Sequence, residues 1–368
     1  MRFKYYITIG LFMTAFTSCV RDEALNMEAA IDACSGENIE VADVNNDHTV
    51  TLYVQKGIDL TKLNLLFTLA DKATISSDTK LSNDGTDTYD FSSSRNFTVT
   101  SEDGKHQAHY TISAIQTELA TEYNFENLVT SENTPYDVFY EFNATRKELI
   151  KWSSGNQGFK LTAMANSRTD YPTVQDDNGK SGKCLKLTTR DTGSFGKMVK
   201  MYIAAGNLFV GSFALANALT NPLKATKFGF PFYHIPLRLT GYYKFKAGDV
   251  YTQKGVTVTG VRDKCDIYAM LYKADSNVDF LDGTNATTSS KIVLLARMDQ
   301  NAIVESDSWT AFDLPFEAMN GSSVNAADLA AGNYKLAIVF SSSVDGGNFN
   351  GAVGSTLYID EVKLTYKE

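Results

Sequence analysis

YKLAIVF (334–340) and STLYIDEVKL (355–364) stand near the end of the chain as two runs of aliphatic, β-branched and aromatic residues, separated by a stretch rich in Ser, Asn and Gly. Such side chains fit a pleated, half-buried surface, and runs of this length bounded by turn residues read as strands. The pattern recurs upstream at LKLTT (185–189), RLTGYYKF (238–245), DIYAMLY (266–272) and IVLLA (292–296). A helical period of 3.6 is weak throughout this half, with short candidates only at 213–219 and 325–330. Strands without long helices must cover their apolar faces with one another, which predicts a two-sheet jelly roll.

Working back toward the N-terminus, TVTLYV (49–54), LNLLFTL (63–69), NFTVT (96–100) and HYTISAI (109–115) alternate apolar and polar residues, punctuated by Asn, Asp, Gly and Ser. Strands at this spacing predict a small immunoglobulin-like sandwich over 36–116, with a hairpin turn at Asp103-Gly104. The polar stretch 115–121 reads as a short linker, and the jelly roll occupies 117–368. The expected class is all-β: an immunoglobulin-like sandwich followed by a larger jelly roll. Behind a membrane anchor the first module is expected to act as a spacer. The segment DVNND (43–47) has the alternating oxygens of a calcium-loop opening, but His48 replaces the sixth-position Gly and Val54 the twelfth-position Glu, so it reads as a turn.

Composition removes several function classes. The chain has 368 residues, enough for two or three domains, and 12% of them are aromatic with only 6 Pro, as strands favour. A net charge of −9 argues against nucleic acid as a partner. The 4 Cys and 4 His are scattered, with no Cys pair at zinc-ligand spacing, so a structural zinc site is not expected. No GxSxG, Walker loop or GxGxxG occurs, and the glycines at 346, 347, 351 and 354 lie between strands rather than ahead of a helix.

The first 19 residues, MRFKYYITIGLFMTAFTSC, join a basic start to an apolar stretch too short to span a bilayer. They resemble a bacterial lipoprotein signal: 1–18 is read as the signal peptide, Cys19 as the lipidated residue and 19–35 as a linker. Phe16 departs from the usual Leu. The acidic pair in Val20-Arg21-Asp22-Glu23 resembles the surface-export signal of Bacteroidetes lipoproteins. An outer-membrane lipoprotein is expected, displayed at the cell surface ahead of facing the periplasm, and touching the membrane through its anchor alone. Cys34, Cys184 and Cys265 remain, so at most one disulfide can form; burial as small apolar residues is the other reading.

IAAGNLFVGSF (203–213), NPLKATKFGFPF (221–232), LTGYYKFKAGD (239–249) and SSSVDGGNFNGAVGSTLYIDEVKL (341–364) together resemble the putative carbohydrate metabolism domain of gut Bacteroidetes, over most of 123–368. The resemblance implies a jelly roll behind an immunoglobulin-like module, a role in glycan handling, and partners among oligo- or polysaccharides and neighbouring glycan-utilisation proteins.

Sugar recognition needs aromatic faces flanked by planar polar groups. Trp152, in the polar turn WSSGN, and the pair Asp170-Tyr171 are the leading candidates, with Arg190, Asn207, His234 and Tyr243 as supporting donors and a second stacking face. A glycoside hydrolase would instead need two carboxylates flanking the scissile bond. Asp170 and Asp266 are the weak catalytic candidates, while Asp299 and Glu317 also lie outside charge runs. No cofactor is expected beyond a structural calcium: Phe125-Glu126 and Ile359-Asp360 match the positions at which many jelly-roll carbohydrate-binding modules hold that ion, giving Glu126 and Asp360 as ligands. A glycan-binding protein leads, ahead of a glycoside hydrolase on the same fold and a structural or adhesive surface protein.

Overall fold

In the strands Asp266–Lys273 and Tyr334–Ser341 every residue but the last is buried. A strand with one wet face alternates, so these two lie between layers on both sides. They are neighbours at the centre of a six-stranded back sheet, flanked by Asn207–Phe209 and Phe230–Pro231 on one side and by Ile292–Arg297 and Glu317–Ala318 on the other. The six-stranded front sheet runs Thr173–Asp176, Cys184–Thr188, Thr356–Lys367, Ile235–Lys246, Ser306–Pro315, with Glu122–Tyr123 also pairing to the long C-terminal strand. Here alternation is clear. Leu239, Tyr243 and Phe245 point inward, while Tyr242 and Lys244 face out.

Between the sheets Leu239, Phe245, Leu357 and Ile359 meet Ile267, Leu271, Ile338 and Phe340 in one continuous core. The computed structural model describes residues 25–367 except 46, 79–87, 132–133, 145–146 and 276–277. The stretch read as a signal peptide and Cys19 therefore lie outside the described residues. No helix among those described is long and apolar enough to cross a membrane. Two short helices the periodicity did not reveal, Asn156–Lys160 and Gly193–Met198, lie in the long excursions between strands.

The N-terminal module is a five-stranded sheet with the two-stranded pairs Ile31–Ser35/Leu66–Leu69 and Leu63–Asn64/Thr88–Tyr89. Thr49–Val54 pairs in parallel with the last strand, Gln107–Gln116. Its first strand begins at Ile31, inside the stretch read as linker, because Ile31 is buried in the module's own core.

This module is not a loosely hung spacer. Val41, Tyr53 and Leu119 belong to the jelly-roll core, with Tyr53 and Phe230 at 5.0 Å between ring centroids. The oxygens of Asp43 and Asn45, which in sequence imitate a calcium loop, hold the ammonium of Lys151 from the second domain at 2.5 and 2.6 Å. Lys335, 3% exposed by side chain, pairs with Glu40 and Asp279 and lies over the Phe280 ring. A charge this deep needs such partners, since an unpaired one would be expelled or neutralised. The three cysteines sit as buried free thiols; burial pushes Cys34 and Cys184 up to about 12.

Two carboxylates hold the second domain from inside. Asp263 accepts hydrogen bonds from the Ser343 and Ser355 hydroxyls and the Ala352 N–H, fastening the excursion that precedes the last strand. Glu141 accepts the indole N–H of Trp152 at 2.9 Å, and burial outweighs that bond to push its carboxyl up to about 7.

Asp263→Ala strands two hydroxyls and an N–H, so we expect a loss of about 3 kcal/mol in urea melts and faster hydrogen exchange over 343–355. Glu141 titrates near 4.5 in the unfolded chain, so between 4.5 and about 7 the folded state keeps a proton that the unfolded state has released. Stability from this group therefore falls as pH rises through that window, by ~3 kcal/mol at most. Melting temperatures of Glu141→Gln, compared with the parent from pH 4.5 to 7.5, are expected to lack this component of the decline.

Candidate functional site

The outer face of the back sheet is covered by the chain excursions, except where they part over a cleft of about 400 Å³. Its floor is the sheet itself, through Phe209, Tyr268 and Val339, and Phe228 from the covering excursion joins them in one buried apolar cluster. The walls come from the two short helices, through Phe159 and Phe195, from the 213–226 excursion, from the loop Gly283–Thr288, and from the turn Ser343–Phe349. That turn packs closely, since a Cβ on Gly346 would meet the Ala205 side chain at 2.4 Å. Aromatic and small apolar surface thus alternates with hydroxyls and amides from Thr192, Thr226, Asn285, Ser341 and Asn348.

One fixed ion pair sits at the sheet end of the cleft. Asp266, 4% exposed, takes a bidentate grip from Arg297, Nε to Oδ1 at 3.0 Å and Nη2 to Oδ2 at 2.8 Å. Burial raises the Asp266 carboxyl, and the bonds from Arg297 oppose that shift. The guanidinium lies over the Tyr268 ring and lines the cleft, holding a planar donor in one orientation. The other carboxylate on the cleft, Asp345, is bonded to the side-chain amides of Asn348 and Asn350. Neither is a free carboxylate facing an open partner.

Of the residues singled out from sequence, Asn207 and Asp266 line this cleft. Asn207 works mainly as a brace, its Oδ1 accepting the Gly155 N–H at 2.8 Å. The aromatic candidates are corrected by burial. Trp152 is 2% exposed, in edge contact with Tyr123 at 5.3 Å, and no ring face is left for a sugar. Tyr171 is 4% exposed in a cluster with Tyr136 and Phe159. Tyr243 points into the core, its hydroxyl accepting the Val304 N–H. Asp170 closes its own turn, accepting from the Ser167 hydroxyl and from the Ser167 and Asn166 N–H groups, which hold its carboxyl below the usual range. Arg190 donates to the Thr169 carbonyl, and His234 stacks on Tyr366 at 4.3 Å away from the cleft. Asp170 and Asp266 therefore do not form a catalytic pair.

Glu126 and Asp360 do approach a common segment, the turn before Cys184. Asp360 accepts the Lys180, Ser181 and Glu361 N–H groups, and Glu126 accepts that of Lys183. Gly182, at φ +63°, leaves no room for a side chain beside Glu126. Calcium takes six to eight oxygens, whereas these carboxylates face N–H donors, so the set does not fit that ion. Among the described residues no group of three or more His, Cys, Asp or Glu gathers as a metal site.

The residues that sequence reasoning missed are Phe195, Arg297 and the 283–288 and 343–349 segments. The sequence offered one signal for Arg297: it ends the run IVLLA as the only charge on an apolar strand.

Comparison with known proteins agrees with this architecture. Residues 124–365 match the family described as "Putative carbohydrate metabolism domain", and residues 32–114 match the one described as "SGBP, N-terminal". A solved structure called a putative glycoside hydrolase, from Bacteroides thetaiotaomicron, is 47% identical, covers 95% of this chain and 99% of its own, and superposes with a TM-score of 0.84. Another so called, from Bacteroides vulgatus, is 42% identical over 67% of this chain and 98% of its own, with a TM-score of 0.63. None of the curated proteins matches the chain. With the matched family spanning the whole jelly roll, the chain belongs to the putative carbohydrate metabolism domain family.

Proposed function

We propose that the protein captures a glycan in the back-sheet cleft and does not cleave it, working as a lipid-anchored binding protein at the cell surface. The observation that carries this reading is the cleft's lining: aromatic and apolar walls, a rim of hydroxyls and amides, and an Arg297 fork held in place by Asp266. Rings supply the faces on which the C–H side of a pyranose stacks, and fixed planar donors read its hydroxyls. Because Asp266 neutralises Arg297, the cleft suits an uncharged sugar better than an acidic one. The SGBP-type match of the first module and the acidic stretch behind Cys19 support display at the surface.

The hydrolase reading draws on the two relatives called putative glycoside hydrolases and on one feature of the cleft, the buried Asp266 carboxyl, whose upward shift a general acid needs. It lacks a free second carboxylate, since Asp345 is engaged by two amides.

A panel of plant, host and microbial glycans, scored together for retention and for released reducing ends, tests both. We expect retention without release, weakened roughly tenfold by Phe195→Ala, about 1.4 kcal/mol. Release abolished by Asp266→Asn would establish the hydrolase instead, and a panel with no retention at all would point to an adhesive role.

A further inference from the structure

The outer face of the front sheet carries a second feature, remote from the cleft. Successive strands present Lys186, Tyr358, Lys244 and Trp309 in a row: Lys186 and Lys244 are each the register partner of Tyr358, on opposite sides of it. The ammonium of Lys186 lies 5.4 Å from the Tyr358 ring, and that of Lys244 lies 4.6 Å from Tyr358 and 4.5 Å from Trp309. Beside this row Tyr242, two residues before Lys244 on the same face, carries Lys180 at 5.1 Å. The three rings are half-buried, each with a lysine ammonium over it.

The chain is acidic overall, and some of its lysines and arginines are paired with carboxylates. Lys186 has Asp176, but among the described residues Lys180 and Lys244 have no carboxylate within ion-pair distance and rest on aromatic rings alone. Two lysines with one strand between them stand ~10 Å apart along the row. That span fits anionic groups recurring along a linear chain, with the half-buried rings between them supplying apolar contact. A flat row on a rigid sheet, unlike a cleft, accepts the middle of a long polymer.

We propose that this row is a second binding surface, for a linear anionic polysaccharide bearing carboxylates or sulfates, and that it acts independently of the cleft. Binding is electrostatic in part, so it weakens as salt screens the lysines. Trp309 reports it directly, because the other tryptophan, Trp152, is buried in the core.

The test is titration of the chain with polygalacturonate and with chondroitin sulfate, followed by tryptophan fluorescence and calorimetry, with dextran as neutral polymer and phosphatidylglycerol vesicles as non-glycan polyanion. The expected result is saturable binding of one acidic glycan, or both, that shifts the fluorescence and falls with salt. Lys244→Gln should weaken it about tenfold and Trp309→Ala should weaken it while abolishing the fluorescence change, with melting temperatures unaltered. Lys105→Gln on the first module and Phe195→Ala in the cleft should leave it unchanged. No binding of either acidic glycan, binding indifferent to Lys244→Gln and Trp309→Ala, or equal binding to the vesicles would overturn the proposal.

Discussion

Burial of the two central back-sheet strands on both faces is the constraint on which the rest of the molecule rests. Asp266–Lys273 and Tyr334–Ser341 have no wet side, so the chain must supply a cover for each face. The front sheet is one cover and makes the core. The excursions carrying Phe159, Phe195 and Phe228 are the other, and the cleft is where that second cover stays open. The polar groups at its edge are held in place: Asp263 fastens the 343–355 excursion, and Asp266 fixes the Arg297 fork. Shape at the cleft is thus a by-product of satisfying a doubly apolar sheet.

The fold was legible because strand periodicity is a local property. RLTGYYKF declares its inward and outward residues by alternation, and the run YKLAIVF carries enough apolar surface to require packing. The site was not legible, because nearness in a jelly roll depends on which excursion folds over which strand. Trp152 illustrates the failure. Its neighbours Ser153, Ser154 and Gly155 look like a loop, yet its backbone N–H bonds to Phe139 and its indole to Glu141, both in the preceding strand pair, and this drives the ring inward. Asp170 spends one carboxylate oxygen, Oδ2, on closing its own turn and does not line the cleft. Arg297, by contrast, ends a plain apolar strand and acquires meaning only beside Asp266, 31 residues away in sequence.

The contacts between the two modules follow the same logic. Each buried charge at the junction is answered from the other side, Lys151 by Asp43 and Lys335 by Glu40, and Tyr53 enters the larger core directly. A module joined this way transmits orientation as well as distance. The direction of the first module therefore fixes that in which the cleft and the lysine-bearing face of the front sheet point.

Hydrogen exchange read segment by segment, with and without a saturating oligosaccharide retained by the protein, tests the cleft most directly. Slower exchange concentrated in 193–199, 283–288 and 344–349, with the front-sheet strands unchanged for an uncharged sugar, is the predicted result. Protection confined to any other part of the molecule, with those three segments unaffected, would contradict the placement of the glycan on the back sheet.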